Sequence, residues 1–582
     1  MKIQTDIVGK IPAPRLEEIL FGSADKAESA KIGALEKKGT IRKIAPRLYT
    51  SNLQEDSAVI IKRNWYKILA TQYPDALLSH RSALEFRPTH GGHIFLTYTY
   101  TRNVELPGLT IHFMEGPGPI EGDKPFVDAL RVSQEPRAFL ENLQSSRAQG
   151  EKSKTLPQAA IEERLEKIIQ VKGEQELNVL RDAARKVADQ LGMDKEFVKL
   201  NQLIGALLST GESKKLQSSS AKARVLGEPF DAGRIDLFEN LYQALAGGTF
   251  PDLPDQNTTT PAYRNFGFYE CYFSNYIEGT EFLIEEAKEI IASETPLPAR
   301  EDDSHDVLGT YQLVSNREEM SIVPVNAGML LTLLRDRHAI LLRSRTSKRP
   351  GQFKDKNNRA GNTEFVDKDL VVGTLKKGFE WYSLLRHPFS KAAYMMFLIS
   401  EVHPFLDGNG RTARVMMNTE LTAARSSKII IPTVYREDYI GALKQFTGQR
   451  TPDAYIRMML RAWQFSFNIY GEDREEMEDV LNRSDAFKEP KHGQLKIINR
   501  LTVGKNASDP KPVPYGKSII VRSSKAGVVV QVFNAAGYIV GKDIVEPEKQ
   551  VRFSAPEIAE VNPQMIRFKS SGDAAKIEYE FF

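Results

Sequence analysis

The stretch Glu401-Val-His-Pro-Phe-Leu-Asp-Gly-Asn-Gly-Arg-Thr-Ala-Arg414 constrains this chain more than any other. It follows an apolar run, Ala392-Ala-Tyr-Met-Met-Phe-Leu-Ile399, too apolar on every side for a surface helix. Gly408-Asn409-Gly410 is a turn sequence, and Arg411 then opens a second helical segment, Thr412 to Ala424.

Those residues also carry chemistry. A glycine turn feeding a helix start presents backbone N–H groups with no intrahelical partner, and with the helix dipole they form a nest for phosphate oxygens. Gly408, Asn409 and Gly410 supply that nest. Arg411 and Arg414, three apart, share a helix face and can take further phosphates of the same ligand. Asp407 is placed to hold a divalent cation, since Mg²⁺ usually takes one or two carboxylates plus phosphate oxygens. His403 is the nearby group that titrates near neutrality and can accept a proton from an incoming hydroxyl. Each feature alone is common; their fixed order is not.

His403-Pro-Phe405-Leu-Asp407-Gly408-Asn409-Gly410-Arg411-Thr-Ala-Arg414 resembles, without gaps, the active-site signature of the Fic family, enzymes that mostly transfer AMP from ATP to a protein hydroxyl. The resemblance implies a largely helical domain in which His403 deprotonates the target and Asp407 binds Mg²⁺ on the α- and β-phosphates. It further implies that Gly408, Asn409 and Gly410 cradle the phosphates, Arg411 stabilises them, Arg414 holds the γ-phosphate and Phe405 anchors the core. Doc relatives, which phosphorylate, replace the first glycine and carry lysine at the position of Arg411, so this chain resembles the AMP-transferring branch.

At 582 residues the chain is too long for one core. With 41% hydrophobic and 27% charged residues it reads as soluble, and a net charge of +3 argues against a wholly nucleic-acid-coated protein. Cys271 is its one cysteine, which excludes an intrachain disulfide and a cysteine-rich zinc site. The first residues lack the apolar core of a signal peptide and no run reaches a membrane span, so the expectation is a cytoplasmic protein without a membrane partner.

Residues 1–100 read as a first unit, with a short helix over Pro14 to Phe21, a second over Ser23 to Lys37, and a basic hairpin or wing from Lys37 to Tyr49. Between Lys31 and Thr50 six basic residues face one acid, Glu36, so a phosphate-backbone contact would fall on Lys37, Lys38, Arg42, Lys43 and Arg47. A solvated charged face is the usual explanation of such a cluster. The order of elements, followed by Leu78-Ser-His-Arg-Ser-Ala-Leu84, resembles the winged-helix head of the AbiEi family of regulators and antitoxins. Residues 101–229 continue as an α+β, largely helical extension. Strands are expected at 92–100, just before it, and at 109–113, and helices at 137–145, 158–171, 174–191 and 195–208. His80, His90, His93 and His112 read as structural, and Gly211 to Gly227 as a linker or exposed loop.

Residues 230–486 read as the catalytic domain. Ser274 and Glu278 lie four apart on one helical face, with Gly279 able to end the helix. This resembles the inhibitory helix of Fic proteins in its N-terminal class, and implies that Glu278 pairs with Arg414 and competes with ATP. Gly361-Asn-Thr-Glu-Phe-Val366 reads as a hairpin or loop. The resemblance makes Thr363, Glu364, Phe365 and Val366 a flap that aligns the target by strand addition. Helices at 368–385, 391–402, 411–424 and 436–447 complete the domain. Residues 491–582 read as a small β-sandwich-like domain without recognisable chemistry.

The expected fold is therefore multidomain, with a winged-helix α+β N-terminus, a mainly α-helical Fic domain and a small all-β C-terminal domain. The expected function is an autoinhibited adenylyltransferase using ATP and Mg²⁺ on a target hydroxyl. The alternatives are removal of AMP at the same site, and a DNA-binding regulator or antitoxin whose Fic domain senses nucleotide. The partners are a target protein and operator DNA, with a homo-oligomer left open.

Overall fold

In a computed structural model the chain forms two compact units, Met1–Gly227 and Glu228–Phe582. The structure describes residues 16–208, 216–361, 363–513, 518–523, 527–533, 538–553, 564–571 and 574–581.

In the first unit Ile19–Phe21, Leu48–Thr50 and Arg42–Ala45 form an antiparallel sheet in that order, with the helix Lys26–Lys37 between the first two in sequence. Asp25 caps that helix by accepting from the amides of Ala27 and Glu28. The helix expected over Pro14 to Phe21 is corrected: Ile19–Phe21 is a strand, because Leu48–Thr50 offers it a ladder that local propensity cannot show. Pro14 lies outside the described residues. A second, six-stranded sheet runs Arg102–Leu106, Leu109–Glu115, His93–Tyr98, Leu77–Leu78, Leu130–Val132, Lys124–Val127. The helices Glu135–Asn142, Gln158–Lys172, Glu174–Leu191 and Asp194–Leu207 add to the same core. Arg137 is buried within it and satisfied by Asp123 at 2.7 Å, Glu141 at 2.8 Å and the carbonyls of Pro117 and Gly118.

The linker expected at 211–227 is corrected over its second half. Ser219–Val225 is a helix capped by Ser218, with Ala221 buried, and the Glu162 carboxylate accepts from the amides of Gln217 and Ser218. A polar sequence became ordered because a buried carboxylate supplies its acceptors. Residues 211–215 lie outside the described residues. Among the described residues no group of three or more His, Cys, Asp or Glu could hold a metal, and no helix is long and apolar enough to cross a membrane.

In the second unit the helices Pro388–Val402 and Asn409–Ala423 lie at the centre, buried on nearly every face. Around them pack Ala232–Gly247, Thr260–Ile277, Glu301–Val314, Ala327–Leu341, Val371–Leu384 and Asp453–Phe467, in one core that includes Tyr394, Phe397 and Trp463. Gly309 sets one of these crossings. A Cβ there would lie 2.5 Å from the Ile340 carbonyl oxygen, so the helix carrying Asp306 and the helix carrying His338 touch backbone to backbone.

Two four-stranded antiparallel sheets follow, and residues of both, among them Val521, Ile577, Val530 and Phe568, share one core. They are tied to the helical body through Arg483, which takes both Glu578 carboxylate oxygens at 2.7 and 3.1 Å, and through Arg500 on the Tyr470 carbonyl at 2.6 Å.

Gly309→Ala is expected to lower the unfolding free energy by about 1–3 kcal/mol, since neither clashing group is a flexible side-chain end. Thermal unfolding of the full chain measures it, and an unchanged midpoint would mean that the two helices can separate freely.

Candidate functional site

The central helix ends at Val402, and His403 caps it with φ 53° and ψ 59°, a left-handed conformation uncommon for a residue with a side chain. The loop after it is held by Asn409, whose Oδ1 accepts from the Phe405 amide and whose Nδ2 donates to the Phe405 carbonyl, both at 2.8 Å. Asn358 donates to the same carbonyl at 2.8 Å. The Asn409 side chain is thus fully used in closing the loop, leaving only its backbone N–H for an anion. Gly408, at φ 70°, starts the second helix, and a Cβ there would lie 2.9 Å from Leu342 Cδ1. No larger residue fits that turn without moving Leu342.

His403 Nδ1 lies 3.3 Å from the Ser400 carbonyl, which places the proton on Nδ1 and leaves Nε2 as an acceptor. Its ring stacks on Phe365 with centroids 3.7 Å apart. Burial pulls its pKa down to about 4, with Lys354 adding to that and the Ser400 carbonyl opposing it, so the imidazole is neutral at pH 7. A neutral imidazole with a free Nε2 is what a general base requires.

Asp407 is the half-exposed carboxylate of the loop. Burial alone would raise its pKa, but the Gly408 amide, Arg411 and Lys348 outweigh that and hold it below the usual carboxylate range. Lys348 Nζ sits 3.3 Å from its Oδ2. Its backbone carbonyl accepts from His338 Nε2 at 3.0 Å, while His338 Nδ1 accepts from the Gly351 amide at 2.9 Å. The His338 ring also stacks on Phe405 at 3.7 Å.

Arg414 is 4% exposed, and its acceptors come from the end of the helix Thr260–Ile277. Nε donates to Ser274 Oγ at 2.9 Å, and Nη2 donates to the Ser274 carbonyl at 2.8 Å and to Glu278 Oε1 at 2.7 Å. Glu278 caps that helix, and Gly279 follows at φ 88°. A Cβ on Gly410 would lie 2.1 Å from Glu278 Oε1. The carboxylate therefore lies directly over the start of the Asn409–Ala423 helix, where an anion is favoured.

Arg411 is equally buried but differently engaged. Its Nη1 pairs with Asp306 at 2.6 Å, Arg345 pairs with the same Oδ2 at 2.9 Å, and Arg411 Nε has no partner. Burial pushes the Asp306 carboxyl up, and the two guanidinium groups oppose that shift. The expected phosphate contact of Arg411 thus begins from a residue already held by an internal carboxylate.

The expected flap is a short hairpin, Arg359–Ala360 paired with Thr363–Glu364. Asn362 at its turn lies outside the described residues. Phe365 faces His403, but Val366 is wholly buried, so its side chain serves the core and is not free to meet a peptide. In the first unit Lys37, Lys38, Lys43 and Arg47 are exposed. Arg42 is half-buried and donates to the Asn52 carbonyl at 3.2 Å and to Ser57 Oγ at 2.8 Å.

His338, Asp306 and Lys348 were not found from sequence. His338 stands 69 positions from the carbonyl it holds, and none of the three belongs to a spaced motif.

The residues present fit a nucleotide with Mg²⁺. Asp407 is a lone, partly exposed carboxylate beside unpartnered helix amides, which suits an ion held mostly by phosphate oxygens. Arg411 Nε is a buried donor left without an acceptor.

Residues 329–421 match the Fic/DOC family. Over 209 residues the chain is 28% identical to "Protein adenylyltransferase Fic" of Drosophila willistoni, covering 35% of this chain and 41% of that protein. It is 22% identical to "Protein adenylyltransferase fic-1" of Caenorhabditis elegans over 239 residues, 40% of this chain and 47% of that protein. The chain thus spans less than half the length of these curated relatives. A solved structure of a Fic-1 segment from C. elegans aligns with 56% of this chain and 92% of its own at 18% identity, with a TM-score of 0.31, too low to carry an argument.

A histidine with a lowered folded pKa contributes its stability above the unfolded value of 6.5 and loses it as pH falls toward about 4. By pH 5 the His403 contribution falls by about 2 kcal/mol. Urea unfolding of the helical body, read from Trp381 and Trp463, should therefore show wild type losing about 2 kcal/mol more than His403→Asn between pH 7 and pH 5. Equal losses would mean that the imidazole is not held neutral.

Proposed function

From a chain whose residues 329–421 carry a Fic/DOC-family domain, we propose an autoinhibited protein adenylyltransferase that moves AMP from ATP to a hydroxyl side chain of a target protein. The observation that carries the reading is the convergence of a neutral His403, with a free Nε2, and a helix start whose anion position is filled by the chain's own Glu278. The names of the curated relatives support AMP transfer.

In the reaction the target oxygen forms a bond to the α-phosphorus of ATP, its proton passes to His403 Nε2, the bond to the β-phosphate oxygen breaks, and pyrophosphate leaves. The amides of Asn409 and Gly410 and the guanidinium of Arg414 hold phosphate oxygens. Arg411, buried and paired with Asp306, adds its positive charge behind them. Asp407 would hold Mg²⁺, which neutralises phosphate charge. His338 and Asn409 keep the loop in register for these contacts.

Glu278 acts as the brake. It engages the Arg414 fork and lies over Gly410, so γ-phosphate and carboxylate compete for one place. Glu278 bonds Arg414 through Oε1, and its second oxygen supports a further reading in which it orients a water that removes AMP from a modified target.

In the same reading the first unit is a winged-helix head and its AbiEi-like extension, with no boundary at residue 100 because one sheet joins Leu77–Leu78 and His93–Tyr98 to the strands between Arg102 and Val132, while 230–486 is the catalytic domain and 491–582 a β-sandwich-like domain. Exposed Lys37, Lys38, Lys43 and Arg47 support DNA binding by the head, which a gel shift that weakens steeply with salt would register.

Transfer of label from α-labelled ATP with Mg²⁺ tests the proposal. Removing a charge-assisted contact worth about 1.5–3 kcal/mol should make Glu278→Gly about 10- to 100-fold more active than wild type. Glu278→Gly combined with His403→Ala should be silent. No label in any variant that still binds ATP would overturn the transferase reading, and equal label in wild type and Glu278→Gly would overturn the brake.

A further inference from the structure

The first unit contains a cavity of about 430 Å³ whose floor is apolar and whose rim is cationic. Leu84, Phe139 and Ile168 contribute to the floor, Leu84 and Phe139 being buried. Lys124, Arg164, Lys167 and Lys172 line it against one carboxylate, Glu135. Cavities of this size suit a small organic ligand, and ligand pockets combine an apolar lining with a few convergent polar groups.

Arg164 makes this more than a charged surface. It is partly buried, yet no hydrogen bond or ion pair engages it among the described residues. The nearby Glu85 is already committed to Arg81, with Nε and Oε2 at 2.8 Å. Burial, with Arg87 adding to it, pulls the Arg164 guanidinium below its ordinary value, and Glu85 and Glu163 only partly oppose that shift. Five N–H donors in a fixed fork, half removed from water, are set up for an anion.

Phe86 supplies an independent sign at the rim. It ends the helix His80–Glu85 with φ 54°, a conformation that a bulky residue rarely adopts, and leaves its side chain 54% exposed. Strain of that kind persists where the surrounding structure holds it, often at ligand clamps. Its ring stacks on Phe126, which in turn stacks on Trp65, so the strained ring is braced from behind.

We propose that this cavity binds a small amphipathic anion, a carboxylate or sulfonate carried on an acyl or aromatic body. Arg164 and Lys167 take the anionic head, and the Leu84, Phe139 and Ile168 floor and the Phe86 ring take the body. The site lies wholly within the first unit and does not depend on the transferase reading.

The probe is 1-anilinonaphthalene-8-sulfonate titrated into the full chain and followed by fluorescence. Saturable binding is expected, about tenfold weaker in Arg164→Gln and largely retained in Arg164→Lys. Lys167→Gln, on an exposed position that cannot unfold the unit, should weaken it about threefold. Octanoate should displace the dye and octylamine should not. Equal affinity in wild type, Arg164→Gln and Lys167→Gln would overturn the proposal, as would displacement by octylamine as effective as by octanoate. Displacement by phosphatidylglycerol vesicles where octanoate fails would replace the small anion with a membrane surface.

Discussion

A guanidinium buried to the extent of Arg414 needs acceptors on every side, and the chain brings most of them from one helix end more than a hundred residues upstream. That requirement couples the helix Thr260–Ile277 to the start of Asn409–Ala423. Glu278 is poorly placed by local rules, since a negative charge at a helix C-terminus faces the negative end of the dipole. Arg414 and the amides beneath it reverse the balance. A residue whose position is unfavourable locally and favourable only through a distant partner is well suited to a contact that a competing anion can break.

The rest of the site is rigid by comparison. Asn409 closes the loop on both sides of Phe405, His338 holds the Asp407 backbone from beneath, and both rings of the loop, His403 and Phe405, are stacked. Preorganisation of this kind means that little has to move when charge develops. The Glu278 carboxylate and the Lys348 ammonium stand in the way of a phosphate and its cation, and each is more exposed than the group it pairs with. Asp306 is the counterweight behind: without it Arg411 would be a buried charge with no directly paired carboxylate among the described residues.

Much of this was readable in advance, and the reason is periodicity. The apolar run before the motif, the glycine turn and the two arginines three apart are local patterns, and they place the helices to within a few residues. For Ser274 and Glu278 the spacing of four gave only a shared helical face, and their meeting with Arg414 was implied by the resemblance alone. The misreadings occur where a partner distant in sequence decides. Ile19–Phe21 is a strand because of Leu48–Thr50, and Ser219–Val225 is ordered because of Glu162.

What the sequence by itself determined is the chemistry available: a titratable ring, a lone carboxylate, glycines where a Cβ cannot fit, and two guanidinium groups on one helix. What only the tertiary structure decided is how each group is engaged. His403 is neutral because it is buried, Asn409 is a clamp because the loop needs its amide, Arg411 is held by Asp306, and Arg414 is covered by Glu278. Burial and long-range pairing set protonation and accessibility, and neither is written in residue spacing.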